Sequence, residues 1–544
     1  MEKRVVLAVV LCVAAMFIWM KFNPPPQPPG PGATTPATAS APGAPGANAA
    51  TGNGAAPAND PTANQQEQKI TLATKREEFV FSSFGGVLEH ARLLEAKYLD
   101  HPGNALTGHD VVTTLDPLSA AFRTTFPSAD FPAIGRAWQA SQPTPDSVLF
   151  VAENDAVRIE KRYTVDQTRY RLHLDVVVHN KTDKPQDHAL AISVAGRQDP
   201  EKKGGGFLSG SGANPSSVLC APHDSKPTRK TIEKIAKDAI DESGGIRWVA
   251  ADEKFFLLAA VPYPEPGSAS RVCHVSSADG VVADGTLRFQ SRTVQPHAAT
   301  VYDFALYAGP KVVDDLSEVK PGGVDVELEQ TVDVTLALLS RPILGLLKFF
   351  YGFAHNWGLA IILLTFFIKL ATFPFTQKSL LSAKKMQKLA PKMNAIRKKY
   401  ENDRQRQSVE TMNLYKAHGV SPFGGCLPSL IQMPIWIALY STLNYAVELY
   451  RAPFVGHIHD LTSKDPFYVT PLLMGGVMFI QMRMSPASPD NQQQQMMQYM
   501  MPVMFTAMSL VLPSGLALYM LTSYLIGILQ QLYVNHVDRK SQPA

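Results

Sequence analysis

The chain has 544 residues, enough for two or more domains. Its apolar and charged fractions, 45% and 18%, average over a first two-thirds that reads as soluble protein and a last third dominated by long uncharged runs. A net charge of +4 is too small to argue for a nucleic-acid partner, and the cysteines (Cys12, Cys220, Cys273 and Cys426) show no metal-ligand spacing.

Residues 1–22, MEKRVVLAVVLCVAAMFIWMKF, join a basic start to an apolar run from Val5 to Met20. No small-x-small cleavage site follows, and Val10 and Leu11 before Cys12 do not make a lipoprotein site. The segment is therefore expected to be an uncleaved transmembrane anchor, with Lys3 and Arg4 holding its start in the cytoplasm. Residues 23–68 follow as a Pro/Ala/Gly-rich tether, which cannot bury enough apolar surface to order itself.

From 69 to 334 the pattern is strand-like. YRLHLDVVV places Tyr170, Leu172, Leu174, Val176 and Val178 on one face and Arg171, His173 and Asp175 on the other, as a half-buried antiparallel strand does. VRIEKRYTV, FFLLAAVPYP and TLRFQSRTV continue the theme between turn-rich stretches, so a large all-β sandwich is expected. His173, His179 and His188 lack ligand spacing and read as surface or satisfied histidines. Cys220 and Cys273 fit either a disulfide in an oxidising compartment or two free thiols. No nucleophile elbow, P-loop or paired-carboxylate motif is found, so the region reads as a structural or docking module rather than an enzyme, and no catalytic residue, cofactor or metal is expected.

Residues 335–356 are amphipathic, broken by Pro342, and carry Arg341 and Lys348, which suits an interfacial helix. The first core span, WGLAIILLTFFIKLATFPF, covers 357–375. A loop over 376–422 then holds eleven Lys/Arg against three acids, with Met386, Leu389, Met393 and Ile396 and then Val409, Met412 and Tyr415 at helical spacing. It predicts a helical hairpin turning near ENDR, cytoplasmic by its charge, which anionic lipid or a ribosome could read. Spans are expected over about 423–447, 467–482, 497–512 and 515–533, the last two joined by PSG, before a cytoplasmic tail at 535–544. Six spans in all, with the N-terminus inside, place the β domain outside and both basic segments inside.

Lys369 lies within the first core span. An ammonium near the bilayer centre costs at least ~2.5–3.5 kcal/mol. Snorkelling is the bland account. Lys378, near the polar end, is nine residues away, ~13 Å of helix, which a lysine side chain covers only in part. The pattern therefore favours a functional cation.

NWGLAIILLTFFIKLATFPFTQKS, GVSPFGGCLPSLIQMPIWIALY, APFVGHIHDLTSKDPFYVTPLLMG and MPVMFTAMSLVLPSGLALYMLTSYLIGILQQ, in that order, resemble the YidC membrane protein insertases in their long Gram-negative form. The resemblance implies an inner-membrane protein with a periplasmic β-supersandwich and a five-helix insertase core. That core would enclose a hydrophilic groove open to the cytoplasm and to lipid. Lys369 corresponds to the groove cation, usually arginine in the family. Lysine keeps the charge but loses the planar fork. Thr365 and Tyr519 match groove positions, and Met520 stands where a second tyrosine is often found. Met433, Trp436 and Met508 map to the apolar face along which substrate helices slide. Ordinary helix packing is the simpler reading for any one of these three, and Thr365 can bond back to its own helix.

The implied partners are nascent inner-membrane proteins, the Sec translocon, a ribosome at the basic loop and tail, and anionic lipid. A secondary transporter or channel using Lys369 as counter-ion is the rival. The five core spans hold no Asp or Glu for ion coupling, which weighs against it.

Overall fold

The computed structural model describes residues 66–99, 108–114, 120–127, 137–198, 216–264, 270–332, 337–401, 403–419, 427–484 and 492–540. The expected anchor, nearly all of the tether, Cys12, Cys426 and the last four residues of the tail lie outside them.

The outer part is built from antiparallel sheets. Lys69–Ala73, Glu77–Ser82, Val87–Leu93 and His109–Asp110 pair in that order as one sheet. The largest sheet has eight strands, in the order Ser217–Pro222, Ile246–Asp252, Phe256–Pro262, Ala299–Pro310, Arg171–Asn180, Val157–Val165, Ser147–Glu153 and Gln139–Thr144. A five-stranded sheet, in the order Ile240–Gly244, Arg271–Ser276, Val282–Phe289, Ala191–Arg197 and Arg123–Thr125, packs against its first strands. The expected alternation holds along Arg171–Asn180: Leu172, Leu174, Val176 and Val178 are buried, while Arg171, His173 and Asp175 are half-exposed. Phe256–Pro262 is instead buried at every position, as suits an inner strand of the large sheet with a second layer packed near it. TLRFQSRTV does not form one strand. It divides between Val282–Phe289 and Arg292–Val294, and the latter pairs with Gln186–His188 in a separate ribbon.

Cys220 and Cys273 form a disulfide (Cα–Cα 6.1 Å) between the eight- and five-stranded sheets, with both residues buried. The choice left open by the sequence is thereby resolved against free thiols. Lys161 falls on the inward face of Val157–Val165 and is fully buried. Its Nζ donates to Gly85 O (3.1 Å) and Phe122 O (3.3 Å) and lies 5.6 Å and 5.5 Å from the ring centres of Trp138 and Tyr163.

The helical part runs as α1 (Ala337–Ala354), α2 (Trp357–Lys388), α3 (Ala390–Lys399), α4 (Arg404–Ala417), α5 (Leu427–Tyr445), α6 (Val469–Met484), α7 (Gln492–Ser509) and α8 (Ser514–Lys540). Asn356 caps α2, its Oδ1 accepting from the Leu359 N–H. The first helix of the basic loop is not separate from the span as expected. α2 continues from Phe375 through TQKSLLSAKKMQK to Lys388, a run of mostly good helix formers with no stop signal. The hairpin is α3 and α4, turning at Tyr400–Asp403, with the Asp403 carboxylate accepting from Arg406 N–H at the start of α4. Leu389 and Tyr415 are buried together against Met386 and Met393, whereas Val409 and Met412 are exposed, so the second stripe packs only at its end.

By length and composition α2 and residues 514–536 of α8 could cross a membrane, and α6 is a shorter apolar helix. α2, α6, α7 and α8 expose large apolar side chains, among them Phe366, Leu370, Leu472, Val503 and Leu529. That mantle suits lipid rather than water. Small residues let the helices approach closely: a Cβ at Gly527 of α8 would lie 2.3 Å from Gln481 of α6, and one at Gly475 of α6 would lie 2.0 Å from Thr506 of α7.

The outer part docks on the helices through the segment after α5. Val447 joins the β core, and the Tyr450 ring lies 5.9, 5.0 and 5.3 Å from those of Tyr98, Phe255 and Phe256. Lys348 of α1 bridges Asp314 (3.1 Å) and Glu448 (2.9 Å), and Arg451 donates to Leu99 O. The same segment covers the α7–α8 turn, where Ser514 N–H donates to Ser463 O (2.7 Å) and Gly515 N–H to Leu461 O (2.9 Å).

Candidate functional site

A polar stripe runs down α2. Thr365, Lys369, Thr372 and Thr376 stand at i, i+4, i+7 and i+11, within about 60° of arc at 100° per residue. Thr365 is fully buried, and its hydroxyl donates to Ile361 O (2.6 Å); Thr372 donates likewise to Ile368 O (2.9 Å). The back-bonding reading of Thr365 is therefore what its geometry shows. Lys369 is half-buried, and among the described residues its Nζ has no hydrogen bond or ion pair.

A second stripe lies on α8, which packs along α2. Tyr519, Ser523 and Gln530 stand at i, i+4 and i+11. Tyr519 and Ser523, one turn apart, are both buried. The Tyr519 hydroxyl accepts from Gln432 Nε2 of α5. Lower down, Gln530 Nε2 donates to Thr376 Oγ1 (2.6 Å), which ties the two stripes together at the end nearer the basic hairpin. Beyond it Lys384 Nζ reaches Val534 O (3.3 Å). Three helices thus bring polar groups to a region that the rest of their surface would make apolar.

The expected sliding face is less unified. Met433 is exposed at 46%, whereas Trp436 and Met508 are half-buried against the helical core. Trp436 stacks on Tyr440 (5.8 Å), and its indole N–H has no partner among the described residues. Packing accounts for Trp436 and Met508 better than an open slide does. Gln432, Thr372, Thr376, Ser523 and Gln530 were not singled out from sequence. Polar residues at i, i+4, i+7 and i+11 in an apolar helix are a signal that could have found the α2 members. The link to Gln432 needs the fold.

Two family models match the chain: 60Kd inner membrane protein over residues 349–541, and YidC periplasmic domain over residues 69–346. Among similar proteins, the membrane protein insertase YidC of Syntrophus aciditrophicus is 34% identical over 98% of this chain and 99% of its own. That of Geotalea daltonii is 33% identical over 100% of both. The crystal structure of an active YidC insertase with its first transmembrane domain resolved covers 87% of this chain and 93% of its own at 18% identity, with a TM-score of 0.38.

Proposed function

Since the chain belongs to the YidC family of membrane protein insertases, we propose that it inserts its substrates through a wet groove bounded by α2, α5 and α8, with Lys369 as the electrostatic landing point. The chain is an inner-membrane protein with a periplasmic domain, and its activity is membrane protein insertion. The finer reading has six spans, with the N-terminus, the basic hairpin and the tail in the cytoplasm. Nascent inner-membrane proteins are its substrates. The Sec translocon, a ribosome at the basic segments and anionic lipid are its proposed partners.

The observation that carries the groove is Lys369 itself: a cation without a partner among the described residues, placed on a stripe of hydroxyls. A polar cleft in one leaflet shortens the apolar barrier and tolerates such groups. The ammonium attracts an acidic, outward-bound segment, and partitioning of the substrate's apolar helix into lipid completes the transfer. The rival reading, Lys369 as counter-ion of a transporter, would want carboxylates in the spans, and the sequence of 357–375, 427–445, 469–484, 492–509 and 514–534 has none.

Water access tests the groove. In a chain carrying Ser at Cys12 and Cys426, Thr372→Cys is expected to react with an impermeant maleimide from the cytoplasmic side, and the lipid-facing Leu370→Cys is not. Silence at Thr372→Cys, or labelling from the periplasmic side, contradicts the proposal.

A further inference from the structure

The outer face of the eight-stranded sheet carries a group of side chains outside the proposed groove. His173 and Asp175 share a face of Arg171–Asn180, and Asp303 lies directly opposite Asp175 in the antiparallel register of Ala299–Pro310. His173 Nε2 is 2.7 Å from Asp175 Oδ1, and one ligand atom from each of the three residues lies within 4.8 Å of the others. Like charges directly opposite on paired strands are destabilising. Here two carboxyl groups lie opposite each other on paired strands with one imidazole beside them, and Arg162, opposite Asp175 on the far side, is the neighbouring cation.

Beside this group the sheet is hollowed. An open cavity of about 410 Å³ is lined by His173 itself, with Tyr263, Arg171, Thr164 and Glu318. The Tyr263 ring stands edge-on to the imidazole at 5.3 Å and fixes its plane from that side. A mixed set of one nitrogen and two carboxylate oxygens suits borderline divalent cations, zinc foremost. Three protein ligands leave at least one coordination position open, the arrangement of sites that take a further oxygen ligand.

We propose that His173, Asp175 and Asp303 bind one divalent cation of the zinc class on the outer domain, with the open coordination position facing the adjacent hollow. The cation replaces the His173–Asp175 contact and the proton or charge balance that the two carboxylates otherwise need. Neither the groove nor Lys369 is involved, so the site stands or falls independently of the insertion mechanism.

The test uses the full-length protein in detergent, stripped with chelator and dialysed. Titration with Zn²⁺ is expected to fill one site, and Cu²⁺ bound there is expected to show coupling to a single imidazole nitrogen by electron paramagnetic resonance. His173→Gln should abolish that nitrogen signature, and Asp303→Asn should weaken Zn²⁺ at least tenfold. Glu318→Gln, in the hollow but outside the ligand set, should leave both unchanged. Zn²⁺ uptake and a Cu²⁺ signature that persist in His173→Gln, or a wild-type protein that binds no Zn²⁺ at millimolar concentration, would overturn the assignment. The wild-type copper spectrum decides the ligand question even where a variant folds poorly.

Discussion

Lys161 shows how one residue can break a pattern and keep the fold. Its strand alternates inward as Val157, Ile159, Lys161, Tyr163, Val165, so the register dictates that the lysine is buried. Burial, with no carboxylate partner among the described residues, pulls its ammonium down to about 7. Because the folded value lies below that of the unfolded chain, the unfolded chain binds more protons between about pH 7 and the usual lysine range. Stability from this group therefore rises with pH across that window, and is lost as pH falls toward 7, by at most about 1.4 kcal/mol per pH unit. Thermal unfolding of the outer domain within the intact protein, followed by tryptophan fluorescence from pH 6.5 to 9.5, is expected to show that rise. Lys161→Met should flatten it whatever its effect on the midpoint, through loss of the bonds to Gly85 and Phe122. An unchanged slope in the variant would assign the pH dependence elsewhere. The residue scale is also where the sequence was least legible. The strand was readable from its period, but the carbonyls of Gly85 and Phe122 that receive the ammonium come from segments 76 and 39 residues away.

At the scale of elements, the disulfide fastens two sheets rather than two loops. Cys220 and Cys273 are 53 residues apart, and closing a loop of that length in the unfolded chain stabilises by about 4 kcal/mol in the chain-entropy model. Replacing both by Ala is expected to lower the outer domain's unfolding midpoint by on the order of 10 °C. A midpoint within a degree or two of wild type would show that the sheets' packing alone carries the junction. Such a bond suits an oxidising compartment, which is where the periplasmic domain lies. Strand period predicted Arg171–Asn180 and Val157–Val165 well, because one face of each is buried and the other wet. It failed at TLRFQSRTV, where a continuous pattern hides a break at Gln290 and Ser291; the apolar span likewise misplaced the end of α2, because the end of an apolar run is not a helix boundary. The pairing of the cysteines depends on which strands of the two sheets face each other, and no local pattern encodes that.

For the whole molecule, the division between β domain and helices was written in composition, but their junction was not. Nothing in the sequence marks Glu448 and Tyr450 as the residues that meet Lys348 and the Tyr98–Phe255–Phe256 cluster. The candidate groove was legible in part: Lys369 stood out by its cost, Thr365 and Tyr519 by resemblance, whereas Gln432, Ser523 and Gln530 became visible only when α5 and α8 were placed against α2. The central claim is that the charge of Lys369, not its shape, receives substrate. Protease protection of tagged clients, in cells complemented at matched expression by Lys369→Arg, Lys369→Ala or Lys369→Glu, measures this directly. The account predicts near wild-type insertion for Arg, impaired insertion of clients with acidic outward segments for Ala, and a deeper loss of the same clients for Glu, because attraction becomes repulsion in a cleft of reduced dielectric. Clients with neutral outward segments should lose less. Equal insertion of acidic clients by wild type, Ala and Glu would contradict it and leave Lys369 as a snorkelling side chain.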